Sequence, residues 1–551
     1  MILDYQDYEN QRHYEADVIV VGTGAGGAVV GTELAEAGLD VLFLEEGGYH
    51  PTASFNPYLT ETIPRLYRDA GSTILFGKPP IAYLEGRCVG GTTVINGGMS
   101  WRTPDAVLEE WERTTGDPGL GPAGLEPLFE KVEEKVSARW QLPESVGEDS
   151  RIMREGAEAL GWRYETNQRN QVACVGADNC AFGCPTGAKQ STLVSYMPRA
   201  LRAGARCLTE VRVDRLIIEG GRCVGVSGRA VDPRTRRRDR RIQVRARAVV
   251  VACGAVQTPV LLLRHRRRTR GSGHLGRHLA VHPNVKVMAV YPFEVKAWKG
   301  VSQAGQVREF RDEGILFAEN FIGPGALGTR LPRHGAEAWE LMRNYNRMLL
   351  TGVLIEDSTS GRVRRGPFGL TIAEYNITPY DHQRFIKGAC HLAELHFTMG
   401  AEMVVMPFTD TPYAHNMDEV RSLAAAQTRV QTLEIVTVHL MGTARMGRTR
   451  ADSAVNLDGQ VWDLPGCYVA DASVFPTPIG VNPQITIMAL ATRIANRLAD
   501  RLGAAPGAQR LLETERRREP QRVAERGSVP GGVAPERGQG LPGLVDAEEA
   551  R

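Results

Sequence analysis

Asp17-Val-Ile-Val-Val-Gly22-Thr-Gly24-Ala-Gly-Gly27 is an apolar strand that runs into a glycine turn. Residues 28–37 follow with helical spacing, and Leu39-Asp-Val41-Leu-Phe-Leu-Glu45 is a second strand that ends on a carboxylate. Strand, glycine turn, helix and strand with a terminal acid make up a βαβ dinucleotide-binding unit. Gly22 permits the tight turn, Gly24 lets a pyrophosphate approach the backbone, and Gly27 lets the helix pack on the strand. Glu45 is suited to accept hydrogen bonds from a ribose diol. Its charge disfavours a 2′-phosphate, so FAD or NAD is expected ahead of NADP. The fold expected is α/β, with a Rossmann-like nucleotide-binding part.

Working outward, Gly86-Arg-Cys-Val-Gly90-Gly91-Thr-Thr-Val-Ile-Asn96-Gly-Gly-Met-Ser-Trp101 is too rich in glycine for a core element. Such a segment can pass its backbone closely along a flat ligand and offer it N–H groups, with Gly90, Gly91 and Asn96 as candidates. Taken alone it is also compatible with a plain loop. Near the other end, Val436-Thr-Val-His439-Leu-Met-Gly442 places a single histidine in an apolar run. Asp471 follows, and then Thr477-Pro-Ile-Gly-Val-Asn482-Pro483-Gln484 opens a long segment of helical period. Asn before Pro predicts a helix start, with Asn482 capping and Pro483 in the first turn. The positive end of that helix dipole should face an electron-rich ligand.

The two glycine segments, the strand end Val249-Val-Val-Ala-Cys-Gly254-Ala255-Val-Gln-Thr-Pro259 and the His439…Asn482 pair together resemble the glucose–methanol–choline (GMC) oxidoreductases, which are FAD enzymes. The resemblance covers roughly residues 15–500, with the motifs in family order. It implies that His439 is the active-site histidine, Asn482 its partner, Asp471 the acid of the flavin-contacting segment and Val213 the strand valine near the adenine. It further implies oxidation of an alcohol, a CH–OH donor. An imidazole takes the hydroxyl proton, the carbon gives a hydride to flavin N5, and the Asn amide orients the oxygen. The helix at Pro483 would stabilise the negative charge on reduced flavin. Members that bind flavin covalently use a histidine in the first glycine-rich loop. Ile95 stands at that position here, so noncovalent FAD is implied. His278 and His282 flank a strand-like run and read as structural.

Cys174-Val-Gly-Ala-Asp-Asn-Cys180-Ala-Phe-Gly-Cys184-Pro185 has no zinc-ribbon spacing, which needs two close pairs. Three thiolates in a glycine-rich loop ending in Cys-Pro suit an iron–sulfur cluster better, and three ligands suit a 3Fe–4S cluster. Reduced structural cysteines or a single disulfide are the alternatives. The run also resembles the cluster segment of bacterial FAD-dependent sugar dehydrogenases. The following Lys189-Gln-Ser191 is similar to segments of relatives that oxidise long-chain alcohols. This resemblance implies a dehydrogenase passing electrons to a carrier protein or quinone, rather than an oxygen-using alcohol, steroid or sugar oxidase. A flavin-dependent lyase or isomerase and a noncatalytic electron carrier are the rival classes.

The chain has 551 residues, 42% of them hydrophobic and 24% charged, which suits a large folded core. A net charge of +2 gives no strong field for nucleic acid or anionic membrane. The arginine run at 234–241 lies between two strand-like runs and reads as a hairpin tip. The run at 264–270 reads as a basic loop or a cover for an acidic partner. No leader is visible at the N-terminus and no apolar run spans a bilayer, so a cytoplasmic protein is expected, with export alongside a partner subunit left open. Nine cysteines without an export signal argue for a reducing compartment. The FAD-binding domain is expected to be discontinuous, at 14–110, 190–290 and 435–503. Residues 111–189 form an insertion with the cysteine loop. Residues 291–434 form a substrate-binding domain with an antiparallel sheet and helices, and 504–551 a disordered tail.

Overall fold

A computed structural model describes residues 1–504, apart from 10, 270–272, 302, 321–322, 329–330, 332–333 and 410–411. The tail expected at 504–551 lies, from residue 505 onward, outside the described residues.

The glycine fingerprint folds as its pattern predicts. Strand His13–Val21 runs into helix Ala25–Glu36 and returns as strand Val41–Leu44. Val18 to Val20 and Val41 to Phe43 are fully buried, as continuous apolar strands of a parallel sheet covered on both faces should be. The sheet runs in the order Ile2–Leu3, Arg206–Leu208, Val41–Leu44, His13–Val21, Arg238–Val251, Arg222–Val231, Val211–Glu219. The long strand Arg238–Val251 joins two environments. Its first half pairs antiparallel with Arg222–Val231, while Val249–Val251 pair parallel with Cys467–Val469. The expected hairpin around 234–241 is therefore present. The run at 264–270, expected as a loop, begins at the end of helix Gly254–Leu263 and includes a short helix, Arg266–Thr269.

A second, mostly antiparallel sheet follows the order Thr73–Leu75, Ile81–Tyr83, Ile435–Thr437, Asn284–Val290, Met348–Ile355, Ile315–Glu319, Gly305–Val307, Tyr164–Thr166. Asn284–Val290, Ile435–Thr437 and the two strands near residue 80 were placed with the nucleotide-binding part, yet they pair within this second sheet. The described chain to residue 504 is one compact unit.

Alternation along Asn284–Val290 explains what the second sheet does. Val285, Val287 and Ala289 are fully buried against helix Pro379–Thr398, where Phe385, Ala389 and Leu392 pack. Asn284, Lys286 and Met288 point to the opposite face and line a cavity. The covering helix is fixed by a capping box: Thr378 Oγ1 accepts from the Asp381 N–H at 3.0 Å, the Asp381 carboxylate accepts in return from the Thr378 N–H, and Pro379 occupies the first turn.

Candidate active site

One cavity of about 570 Å³ lies between the two sheets. Its walls include Gly22, Gly24, Glu45 and Val213 from the nucleotide-binding sheet, Gly91 and Asn96 from the second glycine segment, and Asp471, His439, Asn482 and Pro483 from the C-terminal block. Residues from both ends of the chain thus meet as expected. Gly27 and Gly90 stand behind the wall. A Cβ at Gly27 would lie 2.1 Å from the Gly22 carbonyl oxygen, so it is a packing glycine. Gly90, with φ 96°, donates its N–H to Thr23 Oγ1 at 3.0 Å and joins the two glycine segments.

Glu45 is held by the glycine turn itself. Its Oε2 accepts from the Thr23 N–H at 3.0 Å and the Thr23 hydroxyl at 2.8 Å, and its Oε1 from the Gly47 N–H at 2.9 Å. The carboxylate therefore braces the glycine turn, and burial raises its pKa. Its neighbour Glu46 gave no sequence signal. Burial alone would raise its pKa, but Arg68 at 3.1 Å and Arg212 at 3.3 Å pull it down to about 2. Gly26 was also missed: a Cβ there would lie 1.9 Å from the Ala470 carbonyl oxygen, so only glycine lets the helix start meet strand Cys467–Val469.

Asp471 is a buried anchor. Its Oδ2 accepts from the Gly254 N–H at 2.9 Å and the Thr258 hydroxyl at 2.5 Å, and its Oδ1 from the Ser473 N–H at 2.8 Å and the Ser473 hydroxyl. Burial raises its pKa, and these four donors oppose the shift. The acid thereby holds the start of helix Gly254–Leu263 to the cavity wall.

His439 lies two residues beyond strand Ile435–Thr437, which is paired on both sides. Its Nε2 is 3.2 Å from Asn482 Nδ2. An amide nitrogen only donates, so Nε2 carries the lone pair and Nδ1 the proton. Burial, followed by the charge of Lys286, lowers the imidazole pKa to about 4. The imidazole is therefore a neutral base throughout the physiological range. Asn482 is not the helix cap expected from sequence. Helix Gln484–Leu502 begins one step later, with Pro483 in the cap position and no side-chain cap bond. The Asn482 amide is turned towards His439 instead, and a side chain engaged there is not available to the first-turn N–H groups. The helix N-terminus still faces the cavity through Pro483 and Gln484.

The polar atoms left over in this wall fit a bound flavin dinucleotide. Asn96 Oδ1, Gln484 Nε2 and His439 Nδ1 are buried without partners, next to a helix N-terminus and a glycine backbone. Such atoms need a ligand to satisfy them. Ile95, 6% exposed, lines the same region.

The cluster expected at the three cysteines finds no support here. Among the described residues no group of three His, Cys, Asp or Glu side chains is placed to hold a metal. Cys174, Cys180 and Cys184 are separate, part-buried thiols. Cys180 Sγ accepts from Arg169 at 3.4 Å, and Cys184 Sγ from the Lys189 N–H at 3.4 Å. Burial raises the Cys174 pKa. Burial would do the same at Cys184, but the Lys189 N–H and the Thr186 hydroxyl bring it down. The structure thus gives a cluster no support. Of the three, only Cys180 reaches the cavity wall.

A dinucleotide-binding sheet opening on a cavity that ends at a half-buried His–Asn pair suits an oxidoreductase with a dinucleotide cofactor. The sequence profile of GMC oxidoreductases matches the chain twice, its N-terminal part at residues 63–284 and its C-terminal part at 358–491. An uncharacterised GMC-type oxidoreductase of Mycobacterium tuberculosis is 34% identical over 88% of this chain and 75% of its own length. A long-chain-alcohol oxidase of Arabidopsis thaliana is 27% identical over 90% of this chain and 69% of its own. Among solved structures, pyridoxine 4-oxidase from Mesorbium loti superposes with a TM-score of 0.68 at 18% identity, covering 87% of this chain and 98% of that one. The chain belongs to the GMC oxidoreductase family, and FAD is the cofactor that the family and the cavity support. No helix among the described residues is long and apolar enough to cross a membrane.

Proposed function

We propose that the protein oxidises an alcohol to a carbonyl compound with noncovalent FAD. The reading rests on one observation: His439 Nε2 and Asn482 Nδ2 lie 3.2 Å apart in the cavity that the dinucleotide-binding elements open onto. FAD, when bound, supplies the hydride acceptor. A substrate hydroxyl inserted between the two side chains donates to His439 Nε2 and accepts from Asn482 Nδ2. His439, neutral and half-buried, takes the proton as the carbon loses its hydride. Asn482 fixes the oxygen and so aims the carbon. The N-terminus of helix Gln484–Leu502 offsets negative charge that develops beside it. Ile95, which cannot form a bond to flavin, supports noncovalent attachment.

The rest of the cavity favours an apolar alcohol. Met288, Leu316, Leu350 and Leu354 supply its walls, with Lys286 and Asn320 as polar points on the same face of the second sheet. The similarity to long-chain-alcohol oxidases agrees with such a substrate. Preference for a dehydrogenase over an oxidase drew on a cluster at Cys174, Cys180 and Cys184. The placement of the thiols gives that cluster no support. Metal analysis of the FAD-loaded protein should find no iron; three irons per chain with a paramagnetic resonance signal would reinstate the cluster.

The test is anaerobic mixing of the FAD-loaded protein with matched panels of alkan-1-ols, sterols and sugars. Apolar alcohols should bleach the oxidised flavin and yield the carbonyl product in equal amount. Product formation with flavin that stays oxidised throughout would replace the reading with a lyase or isomerase.

A further inference from the structure

His282 reads in sequence as a structural histidine, but its surroundings are those of a working part. It is 1% exposed, lies in the cavity wall, and adopts the left-handed backbone conformation at φ 43°. Non-glycine residues keep that conformation only where neighbours impose it, often at functional sites. Here Asp357 imposes it. Its Oδ1 accepts from the Val281 N–H and its Oδ2 from the His282 N–H, both at 2.8 Å, and the Tyr375 hydroxyl donates to Oδ1 at 2.7 Å.

The ring so placed touches both halves of the His–Asn pair. It meets the His439 ring edge-on, with centroids 5.6 Å apart and an interplanar angle of 86°. Its Nε2 accepts from the Gly480 N–H at 3.2 Å. Gly480 lies two residues before Asn482, in the loop that delivers that amide. The backbones are tied as well: Ala280 and Met441 exchange hydrogen bonds of 3.0 Å in both directions, next to the two histidines. His282 Nδ1 is buried and has no partner.

We propose that His282 is a positioning residue for the proton-abstracting pair, setting the plane of His439 and the reach of Asn482 through Gly480. The inference rests on the alcohol-oxidising reading for what the pair does, but not for how the pair is held. The titratable and charged groups near the two rings are Lys286 towards His439, and Asp357 towards His282, with Glu356 beside Gly480. Loss of the imidazole should therefore free the Asn482 loop and admit water to His439. Replacement by glutamine should keep an acceptor for the Gly480 N–H.

The experiment compares His282→Ala and His282→Gln in the FAD-loaded protein, with FAD content and thermal midpoint measured first. Flavin bleaching by alcohol should slow roughly 100-fold in His282→Ala, with KM changed far less, as expected when reacting groups shift by about 1 Å. Glutamine should recover at least a tenth of the wild-type rate. A second readout needs no alcohol: ethoxyformylation of His439 by diethyl pyrocarbonate, followed by peptide mass spectrometry across pH. Wild-type reactivity should fall off near pH 4, and His282→Ala should shift that limb upward by a pH unit or more. FAD-loaded His282→Ala with wild-type rate and limb would overturn the proposal. So would an equal loss in both variants that tracks FAD content. If the ethoxyformylation limb shifts while no alcohol bleaches wild-type flavin, the positioning role stands and the alcohol-oxidising reading fails.

Discussion

The pH profile of flavin reduction carries the largest effect that can be worked from this structure. His439 is held near pKa 4 by burial and by Lys286, against an ordinary histidine near 6.5. At pH 5 such an imidazole is still about nine-tenths neutral, whereas an ordinary one would be only about 3% neutral, a gap of roughly thirtyfold in the active base. The rate constant for anaerobic bleaching at limiting alcohol, which reports the free enzyme, should stay nearly flat from pH 8 to 5 and then fall with a single limb near pH 4. Rapid-mixing absorbance at half-unit steps measures it. His439→Gln should lower the rate by about 10²- to 10⁴-fold and abolish the limb. Lys286→Met should move the limb upward, because a nearby cation is removed. A wild-type limb between pH 6 and 7, or a His439→Gln variant with the same limb, would refute the assignment of His439 as a neutral base.

Three further outcomes follow from the geometry. Asp471→Ala strips the acceptor from two N–H groups and two hydroxyls; at about 1–3 kcal/mol for each buried donor left unpaired, it should lower the thermal midpoint sharply and release FAD on gel filtration. Gly26→Ala drives a Cβ to 1.9 Å from the Ala470 carbonyl oxygen, and should give protein depleted of FAD, with the FAD-to-protein absorbance ratio as the readout. Stability should also drop on acidification. His439 and His396 are held at about 4 and about 3, so the unfolded chain takes up their protons first as pH falls below 6.5, at about 1.4 kcal/mol per histidine per pH unit until each folded pKa is passed. Urea midpoints at pH 7, 5 and 4 read this directly, and unchanged midpoints would contradict it.

The nucleotide-binding half was legible because its signal is local. Gly22, Gly24 and Gly27 are spaced by the geometry of a single turn, and residues 18–21 before it and Val41–Leu44 after the helix are apolar throughout. The second sheet was harder to read, since Asn284–Val290 alternates Asn, Lys and Met with Val and Ala. Only its pairing with Met348–Ile355, Met403–Val405 and Ile435–Thr437 shows which sheet it joins. Asn482-Pro483 carries a true helix-start signal. Sequence places the start one residue early because it cannot show that His439, 43 positions away, competes for the amide. His282 failed for the same reason: its two partners, Asp357 and Gly480, come from distant segments. The cysteine run shows the opposite error. Its spacing suggests a cluster, but no group of three such side chains among the described residues is placed to hold a metal. Glu46 and Gly26 matter through Arg68, Arg212 and Ala470, none of which has a fixed spacing from them.

The central claim is that a hydride leaves an alcohol carbon in the cavity beside His439 and Asn482. Anaerobic bleaching by the best alcohol should be compared with the same alcohol carrying deuterium at the carbinol carbon. The account predicts markedly slower bleaching with deuterium in the wild-type protein, with nearly stoichiometric aldehyde or ketone. Bleaching at an identical rate, or no bleaching by any alcohol while product still forms, would contradict it.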